Sequence, residues 1–90
     1  EERIDMIQLP YIERIQLTEE AFIEIKISEA KPQPKFSIAL IKNEKRVYGI
    51  DNHENRPPHI HIRNKIQPYE FTTVEKLIED FYTEFHKYLD

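Results

Sequence analysis

The chain has no cysteine, and glycine and methionine occur once each in its 90 residues. Without cysteine, neither a disulfide nor a thiolate metal site can staple the fold, which fits a reducing compartment. With Gly49 as the sole glycine, no glycine-rich loop is available to cradle the phosphates of a nucleotide. A nucleophilic serine or cysteine centre is equally unsupported. No apolar run approaches the ~20 residues that cross a bilayer, and no charged-then-apolar leader is present. A soluble cytoplasmic protein with no membrane contact is therefore expected. Because the chain opens on Glu1 rather than methionine, a few native residues are expected to precede it.

Ninety residues make one domain, with room for a single core. Isoleucine, glutamate and lysine are abundant, a bias seen in proteins from hot environments. The formal charge of −4 argues against indiscriminate nucleic-acid binding, which needs lysine and arginine. Its distribution says more. Residues 1–30 carry three basic residues against eight acids, residues 31–68 eight against three, and residues 69–90 two against six. The middle of an acidic protein is thus basic, and a local positive field can attract an anion. Lysines on strand edges also serve simply to block aggregation.

Apolar spacing gives the organisation. YIERIQLT (11–18) and AFIEIKIS (21–28) read as two strands of a hairpin, the second alternating Ile23, Ile25 and Ile27 with Glu24 and Lys26. KPQP (31–34) interrupts, since proline removes ladder donors. KFSIALIKN (35–43) is apolar on both faces, as a central strand is. RVYGID (46–51) and HIHIR (59–63) complete about five strands, with a turn at 43–45. Residues 1–9 are ambiguous between another strand and a loose arm. Thr72 and Glu75 fit a capping box for a helix of about 16 residues, with Val74, Leu77, Ile78, Phe81, Phe85 and Leu89 on one face. The expected fold is α+β, a mostly antiparallel sheet packed by one long C-terminal helix.

Three of the four histidines fall in VYGIDNHENRPPHIHIR (47–63). Residues two apart on a strand lie roughly 6.5–7 Å apart on one face, so His59, His61 and Arg63 are expected to share the outer face while Ile60 and Ile62 anchor the strand. Asp51, Asn52, His53 and Arg56 are expected to meet them at one end of the sheet. One reading is metal-free phosphodiester chemistry on RNA, whose 2′-hydroxyl is a built-in nucleophile. There His59 and His61 are the acid–base pair, and Asp51 orients them or holds the loop. Arg56 and Arg63 bind phosphate, with Asn52 and His53 beside the substrate. This reading needs no cofactor. A second makes His59 and His61 metal ligands with Asp51 or His53. A third leaves the histidines hydrogen-bonded and chemically idle. His86 stands apart as a surface residue; Tyr48 and Tyr69 could stack on a base, with core or edge packing the expected role of each.

The order of these pieces resembles the TumE family, toxins of type II toxin–antitoxin pairs. The residues that carry the resemblance are Tyr48, Asp51 and Asn52, then His59 and His61, then Pro68, Tyr69, Phe71, Thr72, Leu77, Asp80 and Phe81. It spans about residues 11–85. The loop 52–58 departs from it, being proline-rich where relatives carry more glycine. The resemblance implies a toxin whose partner is a helix-turn-helix antitoxin. A non-catalytic module that docks this antitoxin is the alternative to a ribonuclease, and self-association into a homo-oligomer is open.

Overall fold

In the computed structural model of the protein, residues 8–53 and 56–89 are described. Six strands follow one another: β1 (Tyr11–Gln16), β2 (Ala21–Ser28), β3 (Lys35–Lys42), β4 (Lys45–Asp51), β5 (His59–Ile62) and β6 (Lys65–Pro68). Each pairs antiparallel with the next, so the sheet is a meander in chain order. Helix α1 (Val74–Glu84) follows and continues into one tighter 3-10 turn, Phe85–Tyr88. The α+β class read from the sequence holds. The sixth strand is four exposed residues ending in proline, an edge too short and polar to announce itself by alternation. Most of the ambiguous segment 1–9 lies outside the described residues.

Alternation in β2 buries Ile23, Ile25 and Ile27, and the facing register brings Phe36, Ile38 and Leu40 of β3 alongside them. Tyr48 and Ile50 of β4 extend that layer, and Leu77 and Phe81 of α1 cover it. Tyr48 lies between aromatic neighbours, its ring 5.4 Å from Phe81 and 4.7 Å from Tyr88. Ile60 and Ile62 join the same core, as alternation requires. Two-residue turns close two of the hairpins: Asn43–Glu44, both with positive φ, between β3 and β4, and Arg63–Asn64 between β5 and β6.

The helix starts one residue later than the capping box suggests. Thr73 is the N-cap, its hydroxyl accepting from the Lys76 N–H at 3.0 Å. It runs 11 residues as α-helix, and the last turn tightens into 3-10 geometry. Lys42 donates to the Leu89 carbonyl at 2.6 Å and ties the end of the chain back to the sheet. Among the described residues, no helix is long and apolar enough to cross a membrane. The helix covers one face of the sheet, and the side chains of interest project from the other.

Candidate functional site

On the face away from α1, β4 presents Gly49 and Asp51, and β5 presents His61 and His59 directly opposite them. Residues paired across an antiparallel ladder share a face and approach closely, so local register alone brings the three polar groups into contact. Both oxygens of Asp51 are used. Oδ1 lies 3.1 Å from His59 Nε2 and accepts from the His53 N–H at 3.2 Å. Oδ2 lies 3.3 Å from His61 Nε2 and accepts from Arg46 Nη1 at 3.0 Å. The two imidazole Nε2 atoms are 2.8 Å apart. Asp51 is 2% exposed, and burying a carboxylate is costly unless it is paired and hydrogen-bonded, as it is here by Arg46 and the His53 N–H.

His59 is itself buried rather than turned out to solvent as its strand position suggests. Its Nδ1 lies 2.9 Å from the Pro57 carbonyl. A carbonyl can only accept, so Nδ1 carries the hydrogen, and in the neutral ring Nε2 offers a lone pair. That lone pair points at His61 and Asp51. His61 is half-buried; burial and the charge of Arg46 lower its pKa against the opposing pull of Asp51. The donor atoms of Asp51, His59 and His61 all lie within 4.8 Å of one another, which makes this trio capable of holding a metal ion.

Arg46 is missing from the residues singled out by sequence. In a regular strand it and Asp51, five apart, would face opposite ways. The β3–β4 register shifts between Leu40, which pairs with Tyr48, and Ile41, which pairs with Arg46. One extra residue, Val47, is thus accommodated as a β-bulge, and the bulge turns Arg46 onto the face of the site. The arginine stem then crosses Gly49, where an added Cβ would stand 3.2 Å from Arg46 Cδ and 3.0 Å from the Ile38 carbonyl oxygen.

Arg46, Asp51, His53, Arg56, His59 and His61 line one open pocket of about 230 Å³. His53 and Arg56 stand exposed at its rim, joined by the Arg56 N–H to the His53 carbonyl at 3.1 Å. Asn52 is elsewhere engaged: its Oδ1 accepts from the Phe36 N–H and its Nδ2 donates to the Pro34 carbonyl, each at 2.9 Å. It clamps the loop before β3 to the end of β4. Arg63 occupies the β5–β6 turn with φ 53°, its guanidinium 6.0 Å from the Tyr88 ring centre and outside the lining of the pocket. Tyr69 donates to Asp80 at 2.5 Å and braces the helix instead of presenting its ring to a ligand. His86 is exposed.

A six-stranded antiparallel meander backed by one helix, with a carboxylate and two imidazoles in mutual contact on the open face, describes a small α+β protein with a polar site built on its sheet. The chain belongs to the TumE toxin family: the family model described as Toxin TumE matches residues 7–89. No curated protein and no solved structure was found to match it.

Proposed function

We infer that this toxin cleaves RNA at the pocket formed by Asp51, His59, His61, Arg46, Arg56 and His53. The observation that carries the reading is the contact of two imidazoles and a buried carboxylate beside two arginines. With their Nε2 atoms 2.8 Å apart, His59 and His61 act together as one basic unit. Attacking and leaving oxygens lie on opposite sides of phosphorus in an in-line displacement, so this unit serves one side of it. It takes the proton of the RNA 2′-hydroxyl as the 2′-oxygen bonds to phosphorus. Arg46 and Arg56 hold the phosphate oxygens and balance the charge that develops on them. As the bond from phosphorus to the 5′-oxygen breaks, His53 at the pocket rim hands that oxygen a proton. The products are a 2′,3′-cyclic phosphate and a free 5′-hydroxyl. Asp51 positions both imidazoles and Arg46. A helix-turn-helix antitoxin that covers this pocket in the cytoplasm is the partner this reading assigns.

Purified protein is incubated with cellular RNA in the presence of a chelator, beside His61→Ala. Cleavage that persists with chelator and falls by roughly 10²–10⁴-fold in the variant supports the reading. Absence of cleavage in every condition overturns it and leaves a non-catalytic module that acts by docking.

A further inference from the structure

Three residues bring electron-pair donors to within 4.8 Å of one another beside the pocket: Asp51, His59 and His61. Their contacts are 2.8 Å between the imidazoles and 3.1 Å from Oδ1 to His59, while the other oxygen, Oδ2, stands 3.3 Å from His61. Neutral imidazoles here do not have hydrogens enough to satisfy every contact. The Nδ1 hydrogen of His59 is committed to the Pro57 carbonyl, so its Nε2 faces a carboxylate oxygen with lone pair toward lone pair. A divalent cation held between these atoms would turn the opposed lone pairs into ligands.

The geometry matches a metal closely. Ligands at ~2.0–2.1 Å around a tetrahedral zinc ion stand ~3.3 Å from one another. The 2.8 Å and 3.1 Å separations from His59 Nε2 open to that value with movements of up to about half an ångström, and the donor atoms of all three residues lie within 4.8 Å of one another. A metal-bound imidazole commonly donates its other N–H to a backbone carbonyl, which fixes the tautomer and the ring, and His59 does this already. All three residues line the pocket, which could supply water as a further ligand. Two nitrogens and one carboxylate oxygen select zinc, cobalt, nickel or copper over magnesium and calcium. Arg46, bonded to Oδ2, adds a positive charge that opposes the ion while leaving Oδ1 to it.

We propose that Asp51, His59 and His61 bind one divalent transition-metal ion of the zinc class, and that the ion, by occupying the lone pairs that would take up the 2′-hydroxyl proton, switches RNA cleavage off. The second half rests on the ribonuclease reading; the first does not. A metal on both Nε2 lone pairs leaves neither able to take the proton of a 2′-hydroxyl, so metal and proton transfer exclude one another.

The test titrates the chelator-treated full chain with Zn²⁺ by calorimetry, and with Co²⁺ by its visible absorption, which reports tetrahedral nitrogen and oxygen ligation. One ion per chain is expected, with no binding of Mg²⁺. His61→Gln, which keeps a polar side chain at this partly buried position, loses the Co²⁺ bands and weakens Zn²⁺ binding by at least about tenfold. Arg46→Gln tightens the ion several-fold, a gain that a purely structural cluster would not show. Zn²⁺ suppresses RNA cleavage in step with occupancy, and chelator restores it. Absence of stoichiometric binding, or binding indifferent to His61→Gln, overturns the site. Cleavage that rises with Zn²⁺ overturns the switch. Protein that binds the ion but never cuts RNA refutes the ribonuclease reading and leaves the metal site standing.

Discussion

Arg46 reaches Asp51 at 3.0 Å although five residues separate them along one strand. The bulge at Val47 makes the contact possible, and the sole glycine of the chain keeps its path clear. The same arrangement gives the buried Asp51 carboxylate its cationic partner; without Arg46 it would face only imidazoles and one backbone N–H. The bulge, the glycine and the acid therefore work as one device. Each is a strand feature of unremarkable type until the register joins them.

Gly49→Ala follows directly from this. The new methyl meets the Ile38 carbonyl oxygen, which is backbone and cannot swing aside, and the Arg46 stem, which can. Crowding of this kind costs typically about 1–3 kcal/mol. Urea unfolding should show a lower midpoint at unchanged slope, and RNA cleavage should fall as Arg46 is displaced. An unaltered midpoint would mean the strand has slack that the contacts deny.

Asn52 separates structural from chemical roles. Its side chain spends both ends on backbone groups of the neighbouring loop and strand, and it is buried. Asn52→Ala leaves the Phe36 N–H without its acceptor and should cost about 1–3 kcal/mol of stability, seen as a fall in melting temperature by circular dichroism. Full stability with loss of RNA affinity would return Asn52 to the substrate.

Much of this was legible in the chain. Period-two alternation placed β2, β3 and the core face of β5, and it put His59 and His61 on one side with Ile60 and Ile62 on the other. Arg63 was misplaced because alternation assumes that the strand continues; β5 stops at Ile62 and the chain turns through a left-handed residue. Arg46 was missed for a related reason. The Asn43–Glu44 turn sets Lys42 against Lys45, and an unbroken register from there would pair core-facing Leu40 with Val47 and turn Asp51 into the core. That conflict foretells a bulge, but only once the turn residues are known. The burial of His59 depends on the Pro57 carbonyl, a contact that no periodicity encodes.

The position of the helix cap is open to direct test. Thr73 accepts the Lys76 N–H, while Thr72 is exposed and sits outside the helix. Thr73→Ala should lower stability by about 1 kcal/mol, and Thr72→Ala should change it by less than ~0.5 kcal/mol. Thermal melts of the two variants decide it, and equal losses would place the cap at neither residue alone.

Arg63→Gly tests the limits of the pocket. Glycine adopts φ 53° without strain, and the arginine gives up only a distant contact with the Tyr88 ring. Stability should be kept or slightly raised, and RNA cleavage should stay within about twofold of the parent. A steep loss of cleavage would show that the guanidinium reaches substrate from the turn.

The helix is latched to the segment after β6 by Asp80, which accepts from Tyr69 and from Lys76, each at 2.5 Å. Burial on its own would raise the Asp80 pKa, but the two hydrogen bonds outweigh it and hold the carboxyl below its ordinary range. Burial, and then the bond to Asp80, push the Tyr69 hydroxyl well up, so it remains a donor at every pH of interest. A carboxylate whose pKa is lower folded than unfolded adds stability above the unfolded value of ~3.9, and loses it as pH falls through the folded value. Tyr69→Phe removes one of the two bonds and should cost about 1 kcal/mol at pH 7. Below about pH 4 the gap between parent and variant should narrow as Asp80 takes up its proton. Urea midpoints measured from pH 7 down to pH 3 follow the gap, and a difference that stays constant across that range would show that Asp80 is not the partner through which Tyr69 stabilises the helix.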